Sequence, residues 1–105
     1  MKQIFYKNTL RLNRGKLCNF DDLPDFAKNN FKLIKKELLT FSDYKKQVYV
    51  HGSFRWGFWS EDSDFDIIIT EKIDVSKFKI FMLETYGVRV DIFILIPEND
   101  YVEIP

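Results

Sequence analysis

The residues most able to do chemistry lie in the segment VYVHGSFRWGFWSEDSDFDIIIT, which spans positions 48–70. Asp64 and Asp66 stand two positions apart at the start of an apolar run. A strand would therefore place both carboxylates on one face of a sheet, with their alpha carbons about 6.5 Å apart. Like charges this close disfavour ionisation, and a divalent cation reverses that effect because carboxylate oxygens are hard ligands. The pair predicts a metal site.

A third acid, Asp91, interrupts an otherwise apolar run that ends near Ile94. A carboxylate within a buried strand is costly unless it is paired or bound to metal. If this strand lies beside the one that begins near Asp66, the three carboxylates converge on one point. Each acid also has a plainer explanation when taken singly. The run Glu61–Asp64 is typical of a solvated turn, and Asp91 could face solvent at a sheet edge or pair with Arg89.

Gly52 and Ser53 end one predicted strand and begin a predicted helix. Free backbone N–H groups and the positive end of the helix dipole make such a junction a phosphate site. The hydroxyl of Ser53 adds a donor. The segment 52–57 matches neither a Walker loop nor the Gly-x-Gly-x-x-Gly pattern. With acids twelve and fourteen residues further along, the glycine–serine pair predicts half of a nucleoside-triphosphate site.

The elements that must position these residues alternate between helix and strand. An amphipathic helix is predicted over about 23–41 from apolar residues at spacings of four and three, namely Ala27, Phe31, Ile34, Leu38 and Phe41. Strands are predicted over 48–50, 65–70 and 88–96, with a short helix over 54–59 and a longer one over 75–86. This order predicts an α/β (α+β) fold, a small mixed sheet of three or more strands packed with helices. Residues 1–20 and the tail 98–105 carry no clear pattern.

Length and composition bound the class of protein. The chain has 105 residues, of which 46% are hydrophobic and 30% charged, as expected for a single globular domain over 1–105 with an unassigned N-terminal extension. No apolar run reaches the roughly 18 residues of a membrane span, and the start lacks a signal-peptide apolar region. The single cysteine, Cys18, excludes an internal disulfide framework and favours a reducing compartment. We therefore expect a cytoplasmic protein that does not associate with membranes.

The net charge of zero conceals two opposite halves. Residues 1–50 carry 11 Lys and Arg against 5 Asp and Glu, whereas residues 51–105 carry 5 against 11. This split indicates either a basic arm or face beside an acidic site, or an ordinary solvated surface whose charges have segregated. A nucleic-acid binder is usually basic as a whole, so the charge pattern disfavours that class of partner.

Several of these residues together resemble the signature of the nucleotidyltransferase superfamily related to DNA polymerase beta. The matching positions are Gly52, Ser53, Gly57, the run Ser63–Ile67, and Asp91. The nearest likeness is to the minimal nucleotidyltransferases that are paired with helical HEPN proteins in toxin–antitoxin modules. The resemblance extends from about Leu23 to Ile96 and implies the nucleotidyltransferase fold.

The resemblance also implies a role for each residue. Asp64 and Asp66 would hold two Mg²⁺ ions, and Asp91 would complete the metal site and help to activate the attacking hydroxyl. Gly52 and Ser53 would grip the triphosphate of the nucleotide. Related sequences often place a small residue and then arginine before the second glycine, whereas this chain has Arg55, Trp56 and Gly57. Arg55 is therefore expected to reach phosphate or a partner from a different direction.

The function implied is transfer of a nucleoside monophosphate, AMP from ATP, to a hydroxyl acceptor on a partner protein such as a HEPN toxin. Two further interpretations remain open. One is a non-catalytic antitoxin that neutralises its partner by binding alone. The other is a small nucleic-acid-binding domain that uses the basic N-terminal arm. The only histidine, His51, is interpreted as structural, because no arrangement for nucleophilic catalysis surrounds it.

Overall fold

A computed structural model describes residues 14–105, so most of the predicted basic arm lies outside the described residues. A 3-10 helix at Phe20–Asp22 is followed by α1 (Asp25–Ser42), β1 (Tyr49–His51), α2 (Gly52–Trp56), β2 (Phe65–Ile69), α3 (Val75–Tyr86) and β3 (Val90–Ile94). This order confirms the predicted alternation of helix and strand. No helix formed by residues 14–105 combines the length and the hydropathy that a membrane span requires.

The three strands form one mixed sheet in the order β1-β2-β3. β1 runs antiparallel to β2, and β2 runs parallel to β3. The register places Asp66 opposite His51 on one side and opposite Asp91 on the other. Because directly paired residues point to the same side of a sheet, these three side chains share one face. We call it the site face.

The opposite face of the sheet carries the apolar core. Its strand residues are Val50, Phe65, Ile67, Ile69 and Val90, which join helix residues in one buried cluster. Isoleucines 67–69 are all fully buried, as expected for a strand covered on both faces. One face of the sheet therefore packs against helix residues in the apolar core, and the other face carries the acids.

The two long helices begin and end close to where the sequence predicts. α1 follows Pro24 and ends at Asp43, whose left-handed backbone (φ 56°) reverses the chain. Its predicted apolar stripe is buried except for Phe41, which is 38% exposed but packs its ring against Phe81 at 5.1 Å. α3 begins at Asp74, whose side chain accepts a hydrogen bond from the backbone N–H of Lys77 at 3.1 Å.

Aromatic rings hold the short helix α2 against the start of β2. Phe54 of α2 stacks on Phe65 of β2, with ring centroids 5.1 Å apart. Phe31 of α1 meets both rings edge-on, at 5.4 Å and 5.1 Å. Trp59 stacks on the other side of Phe54 at 5.6 Å. This cluster fixes the turn that carries Ser53 beside the strand that carries the acids.

The tail, to which the sequence assigns no structure, extends the sheet beyond β1. The backbone N–H of Val50 donates to the carbonyl of Val102 at 2.9 Å, and the N–H of Ile104 donates to the carbonyl of Val48 at 2.8 Å. Ile104 is fully buried. The outer edge of β1 is therefore covered by residues more than fifty positions away in the chain.

The tail contributes to stability through this buried side chain. Ile104→Ala should lower the free energy of unfolding by about 2 to 4 kcal/mol, because it leaves a cavity in the core. Ile96→Ala is the matched control, since Ile96 is 87% exposed, and it should change stability by less than about 0.5 kcal/mol. Urea unfolding of both variants measures the difference, and equal losses would show that the tail does not close the core.

Candidate active site

The structure brings the three predicted acids together at the end of the sheet where β2 and β3 begin. Asp66 and Asp91 are register partners on adjacent parallel strands, and Asp64 lies two positions before Asp66. The three carboxylates line one polar cleft of about 270 Å³, together with Ser53, Asp62 and Ser63. We call this the carboxylate cleft. Ser53 therefore faces the same space as the acids, as the spacing in the sequence predicts.

Gly52 is required at its position by the carboxylate of Asp66. Its backbone is left-handed (φ +65°), and an added Cβ would lie 1.8 Å from Oδ2 and 2.8 Å from Cβ of Asp66. The sequence predicts that this glycine lets the backbone approach a ligand. In the structure, the side chain of Asp66 occupies the space next to the alpha carbon of Gly52. The absence of a side chain at Gly52 therefore allows Asp66 to take its position.

Two of the three acids are paired with cations. Nε of Arg89 donates to Oδ1 of Asp64 at 2.7 Å, and Nζ of Lys79 donates to Oδ1 of Asp91 at 2.8 Å. The suggestion that Arg89 pairs with Asp91 is thus wrong, because Arg89 turns towards the preceding loop, where it also donates to the carbonyl of Asp62. Within residues 14–105, Asp66 forms no salt bridge.

Asp66 is the acid whose ionisation costs most. Burial, followed by the negative charges of Asp91 and Asp64, raises the pKa of Asp66 from 3.8 to about 6, although the charge of Lys79 opposes them. The hydrogen bond to Asp91 raises the pKa of Lys79, which also experiences the charges of the other two acids. A carboxylate shifted in this way by burial and like charge is a common sign of a functional site.

The donor set of the cleft fits a divalent cation. Three carboxylates are ligands that Mg²⁺ prefers, and the ammonium of Lys79 already occupies a position that a positive charge favours. As they stand, no group of three His, Cys, Asp or Glu side chains in the described part of the chain is arranged to hold a metal. Asp64 and Asp91 instead accept hydrogen bonds from Arg89 and Lys79. Both pairs are about half exposed and are worth about 1 kcal/mol or less, so a divalent ion can displace them.

Arg55, predicted to contact the nucleotide, lies apart from the carboxylate cleft. Its side chain is 1% exposed, and Nη2 donates to Oδ1 of Asp100 at 2.8 Å. The guanidinium carbon lies 3.7 Å from the ring centre of Tyr101 and 4.1 Å from that of Trp56. In the structure, Arg55 therefore links α2 to the tail through Asp100 and Tyr101.

Sequence reasoning missed two neighbours of the acids. His51 shares the site face with Asp66, and its ring packs edge-on against Phe93 at 4.9 Å. Burial and then the charge of Arg55 lower the pKa of His51, which favours a neutral ring. Lys79 is the other, and only the packing of α3 beside β3 could have revealed it. Neither contact follows from spacing along the chain.

Substitution of Gly52 tests its contact with Asp66. Gly52→Ala should lower the free energy of unfolding by about 2 to 4 kcal/mol and displace the carboxylate, since both a left-handed backbone and a steric overlap oppose it. Gly87→Ala is the control, because Gly87 is also left-handed (φ +70°) but has no atom within 4 Å of an added Cβ. It should cost only about 1 to 2 kcal/mol. Equal costs in thermal unfolding would contradict the proposed overlap.

The raised pKa of Asp66 predicts how stability depends on pH in metal-free protein. The folded chain holds this proton more tightly than the unfolded chain, so the contribution is fully present below about pH 4 and is lost as pH rises through about 6. Asp66→Asn should therefore be more stable than wild type at pH 7, by about 1 kcal/mol after solvent screening of this half-buried group. The two proteins should differ little at about pH 3.5.

Urea unfolding in the presence of a chelator, followed across this pH range, measures the difference. A wild type that is more stable than Asp66→Asn at pH 7 would contradict the conclusion that burial and neighbouring charges disfavour the ionised form of Asp66. Added Mg²⁺ should stabilise wild type more than the variant, because the ion relieves the repulsion among the acids.

Comparison with known proteins places this site within a family. The family model described as a nucleotidyltransferase domain matches residues 31–104, which include Ser53 and all three acids. Searches of curated proteins and of solved structures gave no match. The matched segment covers more than half of the chain and contains the whole carboxylate cleft. The chain therefore belongs to the nucleotidyltransferase domain family.

Proposed function

We propose that this chain transfers AMP from ATP to a hydroxyl group on a partner protein, with two Mg²⁺ ions held by Asp64, Asp66 and Asp91. The observation that carries the proposal is the register of β2 and β3, which sets Asp66 beside Asp91 on one face. Members of this family perform nucleotidyl transfer and typically use divalent metals. Three carboxylates around one cleft are the ligands such chemistry needs.

The donor nucleotide would lie with its phosphates near Ser53. The hydroxyl of Ser53 opens into the carboxylate cleft and donates a hydrogen bond to a phosphate oxygen. α2 has only five residues, so its dipole adds little, and the backbone N–H groups at the turn are the further donors. The β- and γ-phosphates of the nucleotide would therefore bind near Ser53, on the side of the acids that is nearer to β1.

The reaction is an in-line attack by the acceptor hydroxyl on the α-phosphorus. A bond forms from the acceptor oxygen to this phosphorus, the bond to the β-phosphate bridging oxygen breaks, and pyrophosphate leaves. Asp64, Asp66 and Asp91 would hold the divalent ions, which would supply positive charge to the attacking and leaving oxygens. A carboxylate oxygen of Asp91 accepts the hydroxyl proton. Asp66, fixed by Gly52, keeps the ligand set in place, so positioning and electrostatics supply most of the rate.

The resemblance to minimal nucleotidyltransferases suggests a HEPN-type toxin as the partner and an antitoxin role for this chain. The rival interpretation is a non-catalytic module that neutralises its partner by binding. Binding alone does not require three clustered acids, one of which, Asp66, has its pKa raised to about 6 by burial and by the charges of the other two. Retention of this costly cluster favours the enzyme, since functional sites commonly depart from the most stable arrangement.

Carboxamide variants test the proposed catalyst. Asp64→Asn, Asp66→Asn and Asp91→Asn should each lower transfer by about a hundredfold or more, because each loses a charged ligand of the metal site. Asp43→Asn is the control, since this acid is exposed at the end of α1, outside the cleft lining, and pairs with Lys45 at 3.5 Å. Its transfer rate should equal that of wild type.

The assay incubates labelled ATP, Mg²⁺ and the protein encoded beside this chain, with circular dichroism to show that each variant folds. Covalent label on the neighbour supports transfer. A tight complex without label supports the non-catalytic module, and equal labelling by wild type and all three acid variants would overturn the assignment of the site.

A further inference from the structure

The three acids stand between two clefts of different character. The carboxylate cleft lies on the side of Ser53. The second, which we call the apolar groove, has a volume of about 320 Å³ and is lined by Asp64, Lys79, Ile80, Leu83, Arg89, Val90 and Asp91. Asp64 and Asp91 thus belong to both clefts and form the boundary between them.

The strand order fixes which side each cleft occupies. Ser53 follows β1, Asp66 lies on the central strand β2, and Asp91 lies on β3. β3 pairs with no further strand among residues 14–105, and α3 packs beside it. Crossing the sheet from β1 to β3 therefore leads from the serine to the acids and then to the apolar groove.

An in-line displacement requires the attacking oxygen and the leaving oxygen to lie on opposite sides of the phosphorus. With pyrophosphate held near Ser53, the attacking hydroxyl must approach from the β3 side. We propose that the apolar groove is the acceptor-binding site. This inference rests on the proposed function, because it takes the position of the leaving group from it.

The lining of the groove indicates what kind of acceptor it takes. Ile80 and Leu83 are 54% and 51% exposed and lie almost one turn apart on α3. Two exposed apolar side chains beside the acids fit the apolar side chains of a protein segment better than a polar small molecule.

The two cations at the groove give the acceptor a preferred charge. Lys79 and Arg89 line the groove and neutralise Asp91 and Asp64. With Asp64 and Asp91 bound to divalent ions, the ammonium of Lys79 and the guanidinium of Arg89 would be available to acidic groups of the acceptor. The occupant is therefore a protein segment that carries a hydroxyl-bearing side chain among apolar residues, with carboxylates beside it.

A peptide probe tests the groove directly. We would use the acetylated and amidated tetrapeptide Glu-Leu-Tyr-Glu, and a charge-reversed partner with Lys at both ends. The protein carries labelled methyl groups and is observed by NMR with Mg²⁺ and an ATP analogue that has a methylene group between the α and β phosphorus atoms. The nucleotide should shift the amides of Gly52 and Ser53. The acidic peptide should shift the methyl groups of Ile80, Leu83 and Val90, and the basic peptide should bind at least about threefold more weakly.

Matched leucine variants show whether the groove makes the contact. Leu83→Ser should weaken the acidic peptide about fivefold, the value of burying roughly half a leucine side chain. Leu39→Ser is the control, since Leu39 is 49% exposed on α1 and lies outside the groove. It should bind the peptide as wild type does. Both positions are exposed, so both variants should fold.

The outcomes separate this inference from the proposed function. If the nucleotide shifts Gly52 and Ser53 but the peptide leaves the groove methyl groups unchanged, or both leucine variants bind alike, the groove assignment is wrong and the proposed donor site stands. If single-stranded RNA shifts those methyl groups in place of the peptide, the assignment to a protein acceptor is wrong. If the Mg²⁺–nucleotide complex does not bind wild type, the proposed function fails and the acceptor role fails with it.

Discussion

Repulsion among three carboxylates on one end of a small sheet is the constraint on which the rest of this structure depends. The register of β2 and β3 forces Asp66 and Asp91 together, and burial removes much of the water that would screen them. The chain balances part of this charge with Lys79 and Arg89. The repulsion that is not balanced acts mainly on Asp66, the one acid of the three without a salt bridge in the described chain. A site so short of positive charge selects cations.

The opposite face of the sheet makes this arrangement tolerable. Fully buried isoleucines on β2 and a cluster of phenylalanines hold the strand and α2 in fixed positions. The acids therefore cannot relieve their repulsion by moving the backbone. The carboxylate of Asp66 packs directly against the backbone of Gly52, in the space that a Cβ would otherwise occupy. The stability contributed by the apolar face offsets the repulsion among the acids on the site face. Many functional sites depend on such compensation.

Local periodicity was enough to predict the elements and the Asp64–Asp66 pair. α3 occupies the predicted range 75–86, and a period of two puts both acids on one side of a strand. The sequence predicted that Asp91 joins the other two acids only if their strands are neighbours, because spacing along the chain does not say which strands are adjacent. The direction of Arg55 and the placement of Lys79 depend on tertiary packing, and the pairing of the tail depends on contacts across half of the sequence. No local pattern encodes such contacts.

The pairing of the tail with β1 also affects the order in which the molecule can fold. The edge of β1 that faces away from β2 is paired by residues 102–104, so this side of the sheet stays open while the intervening chain is synthesised. Closing so long a loop carries an entropic cost and slows the step that completes it. During translation, the hydrogen-bonding edge of β1 is exposed until residue 104 has left the ribosome exit tunnel. Until then, the nascent chain exposes unpaired backbone N–H and C=O groups of β1, with which a strand of another chain can pair.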